Sequence, residues 1–312
     1  MSRQEWLKNS IFYRPLLRIF LPLRRLYWYL GYLTIEYSYR FLSAFGRHAG
    51  VTDVKRDPEL IVSLTTIPER IGKVHLCIES LLRQNLQPDH IILWLSESEN
   101  PNRPKLEKAS LPLSLVRLQR RGLDIRWCRD IRSFRKIVPT LHVYPDALIV
   151  TADDDIFYPR GWLRGLYDAY RLEPQYVHCH RAHLITYDSS GNVLPYRQWN
   201  FLAPGYQGPS MHLFPTSGGG VLYAPGHLHP EVLNENVFLK LCPKADDVWL
   251  KEMSLLAGVQ CKKVAEATFR IWEIKIKNNR TLSSFNFMEE GNDPQIKAVA
   301  EWSKMYVSKR GY

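Results

Sequence analysis

Leu148-Ile149-Val150-Thr151-Ala152-Asp153-Asp154-Asp155 runs from an apolar stretch straight into three carboxylates. Ala147 to Thr151 is short, apolar and rich in branched side chains, which predicts a buried strand. The acids begin just past its end. Adjacent carboxylates repel one another, so a fold that keeps them close must place positive charge nearby. A divalent cation is one source: magnesium and manganese prefer oxygen ligands and commonly leave positions open for phosphate oxygens. A solvated acidic turn, or a helix N-terminus before Pro159 where acids are favourable, is the plain alternative.

Working outward, the same strand pattern recurs. Leu60 to Thr65 predicts a first strand, with Thr66-Ile67-Pro68-Glu69-Arg70 as the loop leaving it. Ile71, Val74, Ile78, Leu81 and Leu82 fall at helical spacings on one apolar face. Pro88 closes that unit, and Ile91 to Leu95 predicts a second strand. A polar connection covers Ser96 to Leu113, a strand Leu123 to Trp127, and a helix Phe134 to His142. Strands alternating with helices predict an α/β fold whose mainly parallel sheet is sandwiched by helices, Rossmann-like in layout. Such sheets bind ligands beyond the carboxyl ends of their strands, where the triplet falls.

Four further segments stand in order around the triplet: Ile61 to Arg70; Asp130-Ile131-Arg132-Ser133-Phe134-Arg135-Lys136-Ile137-Val138-Pro139; Ser217-Gly218-Gly219-Gly220-Val221-Leu222-Tyr223; and Asp246-Asp247-Val248-Trp249. Together the five resemble GT-A-fold glycosyltransferases over Ile61 to Leu250, particularly bacterial enzymes of surface-polysaccharide assembly. The sequence departs from the commonest pattern at Arg132-Ser133, where many relatives have Gly-Pro, and at Asp246, which replaces a frequent Glu.

The resemblance implies a hexosyltransferase-like enzyme that moves a sugar from a nucleotide-diphosphate donor, UDP-sugar favoured, to a glycan or lipid-linked acceptor. Asp155 and Asp153 would ligate Mn2+ or Mg2+. Thr65, Thr66, Arg70, Asp130, Lys136, Asp153 and Asp154 would line the donor, and Gly218, Gly219 and Gly220 would lie beneath the sugar. Asp247, with Asp246 second, would be the base that takes the acceptor proton, in an inverting reaction. Beside this stands the plain reading that both acids cap a helix running from Val248 to about Leu256. Gly218 to Gly220 would then be a simple turn, and Arg70 and Lys136 surface cations. His178, His180 and His183 match no common zinc spacing and read as a strand edge, with an acceptor pocket as a second reading. Trp199, Tyr206 and Trp249 are candidates for stacking on sugar rings, or simply for the core. Lys275 to Arg280 reads as a solvated basic loop or a cover for the nucleotide, and a terminal helix is expected from Asp293.

The 312 residues carry a net charge of +11, of which residues 1–50 hold +6, with eight Lys or Arg against two acids. Aromatic and basic residues interleave there, and the longest uncharged run, Leu26 to Ile35, is too short to span a bilayer, which takes about 20 residues. This predicts a first region, 1–50, that lies on an anionic membrane surface or packs as a helical arm, broken by Pro15 and Pro22, ahead of a catalytic domain at 51–312. Five scattered cysteines and the lack of a recognisable signal peptide point to a cytoplasmic enzyme, peripheral on the inner face of the membrane.

Other classes fit less well. No helix-turn-helix, zinc finger or RNP signature accompanies the basic charge, so no nucleic-acid partner is expected. A sugar nucleotidyltransferase would carry glycine in Thr65 to Arg70, and a haloacid-type phosphatase would not have Phe157 where Asp-x-Asp-x-Thr requires threonine. A non-catalytic nucleotide- or glycan-binding protein has no need of acids at two separate places.

Overall fold

The computed structural model describes residues 13–97, 106–264, 271–276 and 291–310. The chain divides into two compact units between Gly46 and Arg47. The first contains one helix, α1 (Tyr13–Phe45), with Pro22 inside it. The prolines therefore do not break it into pieces. Pro15 lies in the first turn, where a backbone N–H has no helical acceptor anyway. Pro22 removes one bond from a long ladder, at a cost of about 3 kcal/mol that the flanking turns absorb. No described helix is long and apolar enough to cross a membrane.

The second unit is α/β. Its strands are β1 (Leu60–Thr65), β2 (His90–Leu95), β3 (Leu123–Trp127), β4 (Leu148–Ala152), β5 (Ile156–Phe157), β6 (Val177–Cys179), β7 (Ala182–Leu184), β8 (Leu213–Pro215), β9 (Val221–Tyr223), β10 (Cys261–Lys263) and β11 (Trp272–Glu273). Seven form the central sheet in the order β10-β6-β9-β4-β1-β2-β3. β1 pairs in parallel with β2 and β4, β2 with β3, and β10 with β6, while β9 runs antiparallel to both β4 and β6. The helices are α2 (Val74–Leu82), α3 (Leu113–Gln119), α4 (Val138–Val143), α5 (Trp162–Leu172), α6 (Glu235–Leu241), α7 (Asp246–Leu256) and α8 (Asn292–Arg310).

Both sheet faces are buried, as a parallel sheet requires. Ile61, Ile92 and Ile149 join a core with Phe134, Phe238 and Trp249, while the alternate residues Leu60, Val62 and Leu64 are equally buried. α2 is buried along its whole length, its Glu79 carboxylate held by Arg121 and Arg83. The helix expected over Phe134 to His142 is instead a 3-10 turn (Arg132–Lys136) followed by α4. Pro139 has no N–H to continue the first turn, but fits the start of a new helix.

The winding places the site. From β1 the chain steps outward to β2 and β3, then returns to the other side of β1 as β4. The direction of winding therefore changes between β1 and β4, and the region beyond their carboxyl ends is where sheets of this kind place their ligands. Because β9 is reversed, its amino end, preceded by Ser217 to Gly220, lies at this same end of the sheet.

Candidate active site

Two cations organise the acids. Arg70, on the 3-10 turn after β1, places Nη1 2.7 Å from Asp154 Oδ1 and 2.9 Å from Asp155 Oδ2. Lys136, buried at the end of the turn after β3, places Nζ 2.8 Å from Asp153 Oδ1 and 2.9 Å from Asp246 Oδ2. The second contact is an ion pair off the angle of a hydrogen bond. The triplet thus meets the second acidic pair through one buried ammonium, and neither Arg70 nor Lys136 is a surface cation.

The three neighbouring acids have different surroundings. Asp154 is buried and fully engaged, accepting from Thr66 Oγ1 at 2.5 Å as well as from Arg70, so it ties the β1 loop to the triplet. Burial raises its pKa, against the pull of Arg70 and Thr66. Asp153 is half-buried; burial would raise its carboxyl, but Lys136, Arg181 and Arg70 overcome that and hold it below the usual range. Asp155 is pushed up to about 6, by burial first and then by Asp153 and Asp154. Its carbonyl accepts from Ile274 N at 2.6 Å, and β11 pairs with β5, which brings Glu273 close.

Asp246 and Asp247 open α7, where the helix dipole favours acids, but neither occupies the N-cap position, which is Ala245. Asp246 is buried against Lys136. Asp247 stays partly accessible and accepts from Ser217 N at 3.1 Å and Ser217 Oγ at 2.5 Å. Burial, then the Asp246 charge, raise its pKa well above the carboxylate range. An accessible carboxylate with a raised pKa is suited to accept a proton near neutrality.

Gly218 to Gly220 form a buried, close-packed turn. A Cβ on Gly219 would stand 2.4 Å from Arg181 Cβ, and one on Gly220, where φ is 95°, would stand 2.4 Å from Trp162 Nε1. Those two glycines serve packing. Only Gly218 faces the ionic cluster, its Cβ position lying 2.6 Å from Arg181 Nη2 and 3.1 Å from Asp153 Oδ2. Gly220→Ala is expected to lower stability by about 2 to 4 kcal/mol through the left-handed φ and the collision with Trp162, measurable as a lower urea midpoint at unchanged slope.

The remaining expected residues divide. Thr65 spends its hydroxyl on Trp94 O at 2.8 Å. Asp130 accepts from Arg132 N at 2.9 Å and reaches the cluster only through buried Arg135, whose guanidinium bonds Ser96 Oγ and Thr66 O. Arg132 has φ 59°, a conformation that glycine adopts without strain. β6 lies inside the sheet, not at its edge. His178 and His180 bond the carbonyls of Glu173 and Trp162, each at 2.8 Å, and His183 accepts from Leu202 N at 3.0 Å, so these histidines brace the backbone. Trp199 and Trp249 are core residues, whereas Tyr206 is exposed. Of the basic stretch Lys275 to Arg280, Lys275 O accepts from Lys73 Nζ and residues 277–280 lie outside the described residues.

Sequence reasoning missed Arg181, Ser217 and Tyr196. Arg181 lies two residues past the end of β6, and its Nε bonds Thr216 Oγ1 at 2.6 Å with the other edge toward Asp153 and Gly218. Its position just past a strand's carboxyl end, as with the triplet, was the available signal. Tyr196, from the segment between β7 and β8, is pushed up to about 12 by burial and then by Asp247.

Among the described residues no three His, Cys, Asp or Glu side chains are grouped to hold a metal ion. With all five acids ionised, Asp153, Asp154, Asp155, Asp246 and Asp247 face Lys136, Arg70 and Arg181, a surplus of two negative charges, and the raised pKa values of Asp155 and Asp247 show that this surplus is uncompensated within the cluster. Two hollows beside β3, of about 230 and 670 Å³ and both lined by Trp94, contain none of these acids. No protein-family model matches the chain, and comparison with curated proteins finds no match.

Proposed function

We propose that this chain is a GT-A-type glycosyltransferase that uses a divalent cation to transfer a hexosyl group from a nucleotide-diphosphate sugar, with inversion, to a glycan or lipid-linked acceptor of surface-polysaccharide synthesis. One observation carries the reading: the β1 loop, the turn after β3, the acidic triplet, the glycine turn and the second acidic pair converge on one ionic cluster beyond the carboxyl ends of β1 and β4, joined by Lys136 between Asp153 and Asp246.

The residues fit a divalent cation by charge, since two positive charges would favour ionisation of Asp155 and Asp247 and cancel the surplus that the ionised cluster carries. Asp153 and Asp155 would hold it, one or two carboxylates being the usual protein share when substrate phosphates complete the shell. When bound, the ion stabilises negative charge on the departing diphosphate. Arg70 and Arg181 orient the donor oxygens, and Gly218 leaves room beside Asp153. Asp247 takes the acceptor hydroxyl proton; the acceptor oxygen bonds the anomeric carbon, and the carbon–oxygen bond to the diphosphate breaks with its electron pair leaving on the nucleotide. Asp246, paired with Lys136, positions that lysine.

The test is thermal shift and calorimetry on the full chain with UDP and other nucleoside diphosphates, with and without MnCl2. Manganese-dependent stabilisation of roughly 3 kcal/mol is expected at a hundredfold excess over Kd. Asp155→Ala should remove that stabilisation while the protein stays folded. Stabilisation by RNA and by no nucleoside diphosphate would overturn the proposal.

A further inference from the structure

We propose that α1 is an in-plane membrane anchor whose ligand is an anionic lipid surface. Among its described side chains, Leu23, Leu26, Tyr27, Leu30, Tyr37, Phe41 and Phe45 are all more than half exposed, between 50% and 70%. With exposed Thr34 they recur every three or four residues, which on a helix of 3.6 residues per turn puts them in one stripe about 33 Å long. Phe41 and Phe45 support one another along it, their rings 5.0 Å apart, and Trp28 packs against Tyr27 from the side at 5.2 Å. The stripe is apolar and aromatic; exposed Arg24 and Arg40 stand on its two flanks, and exposed Arg25 lies nearer the opposite side of the helix. That is the composition of a helix lying in the headgroup layer, where Tyr and Trp are favoured and Arg meets lipid phosphates.

Charge chooses between this and the other occupant such a stripe admits, a second copy of the same helix. Within residues 22–46 the charged residues are Arg24, Arg25, Arg40 and Glu36, and Glu36 is already bonded to Arg40 at 2.6 Å. Three arginines against one glutamate leave a net +2 on this stretch of each helix, which a second copy would only repeat and an anionic bilayer would complement. The inference is independent of the proposed sugar transfer.

The test is co-sedimentation of the full chain with phosphatidylcholine vesicles, with and without roughly a third phosphatidylglycerol. Binding should be at least roughly tenfold tighter to the anionic vesicles and should weaken at high salt. Leu30→Glu with Phe41→Glu, both at exposed positions and so compatible with folding, should abolish it. Arg24→Gln with Arg25→Gln should erase the preference for anionic vesicles. Absence of binding, binding unchanged by the double glutamate variant, or lipid-free self-association that this variant abolishes would each overturn the proposal.

Discussion

Asp247→Asn is expected to lower kcat by roughly 10² to 10⁴-fold while leaving nucleotide binding and the melting temperature nearly unchanged. The amide preserves shape and can still accept from Ser217 through its oxygen, but it cannot take up a proton. The pH profile distinguishes loss of a base from loss of a contact. Because the folded-state pKa of Asp247 is raised, the ionised form is populated only above it, so wild-type kcat/KM should climb with pH toward neutrality on an acid limb. The residual activity of the variant should lack that limb. An unchanged profile would remove Asp247 from the reaction.

The second large effect concerns stability and holds whatever the reaction. Lys136→Met removes the only ammonium placed between Asp153 and Asp246 among the described residues, leaving buried carboxylates without their partner. Breaking a buried pair from one side costs about 3 to 5 kcal/mol, and the partial exposure of Asp153 favours the lower figure. At about 2 to 4 °C per kcal/mol for a domain this size, calorimetry should show a fall of roughly 6 to 12 °C at neutral pH. The pH dependence has a definite sign. Lys136 holds Asp153 below its usual pKa, so its contribution is present above the unfolded-state value and is lost as pH falls through the folded one. The gap between wild type and variant should therefore narrow toward acid pH, and a constant gap would point to lost packing instead.

The first four strands were legible because β1, β2 and β4 are short apolar runs between polar stretches and β3 alternates apolar with polar: β1 and β3 fall where Leu60 to Thr65 and Leu123 to Trp127 predict them. The triplet was legible because it follows such a run at once. Harder to see were partners set by tertiary folding. A carboxylate cluster called for a compensating charge, but the sequence does not say that two side chains already in the chain, Arg70 and Lys136, supply part of it. Arg181 and Tyr196 lie in a region whose short strands, β7 and β8, carry too few residues for periodicity to register, and their placement depends on the reversal of β9. Of the three aromatic residues named for sugar stacking, Trp199 and Trp249 proved to be core and Tyr206 exposed, because composition alone does not separate an aromatic that faces a ligand from one that fills an interior.

The bond between Thr66 and Asp154 joins residues 88 positions apart, and Arg70 reaches across 84 and 85 to Asp154 and Asp155. Each such closure costs chain entropy before any ion pair is formed. The constellation therefore has no local precursor: it comes into being only as the sheet completes, and cutting the chain anywhere between Arg70 and Asp247 would leave neither fragment holding all of its charges.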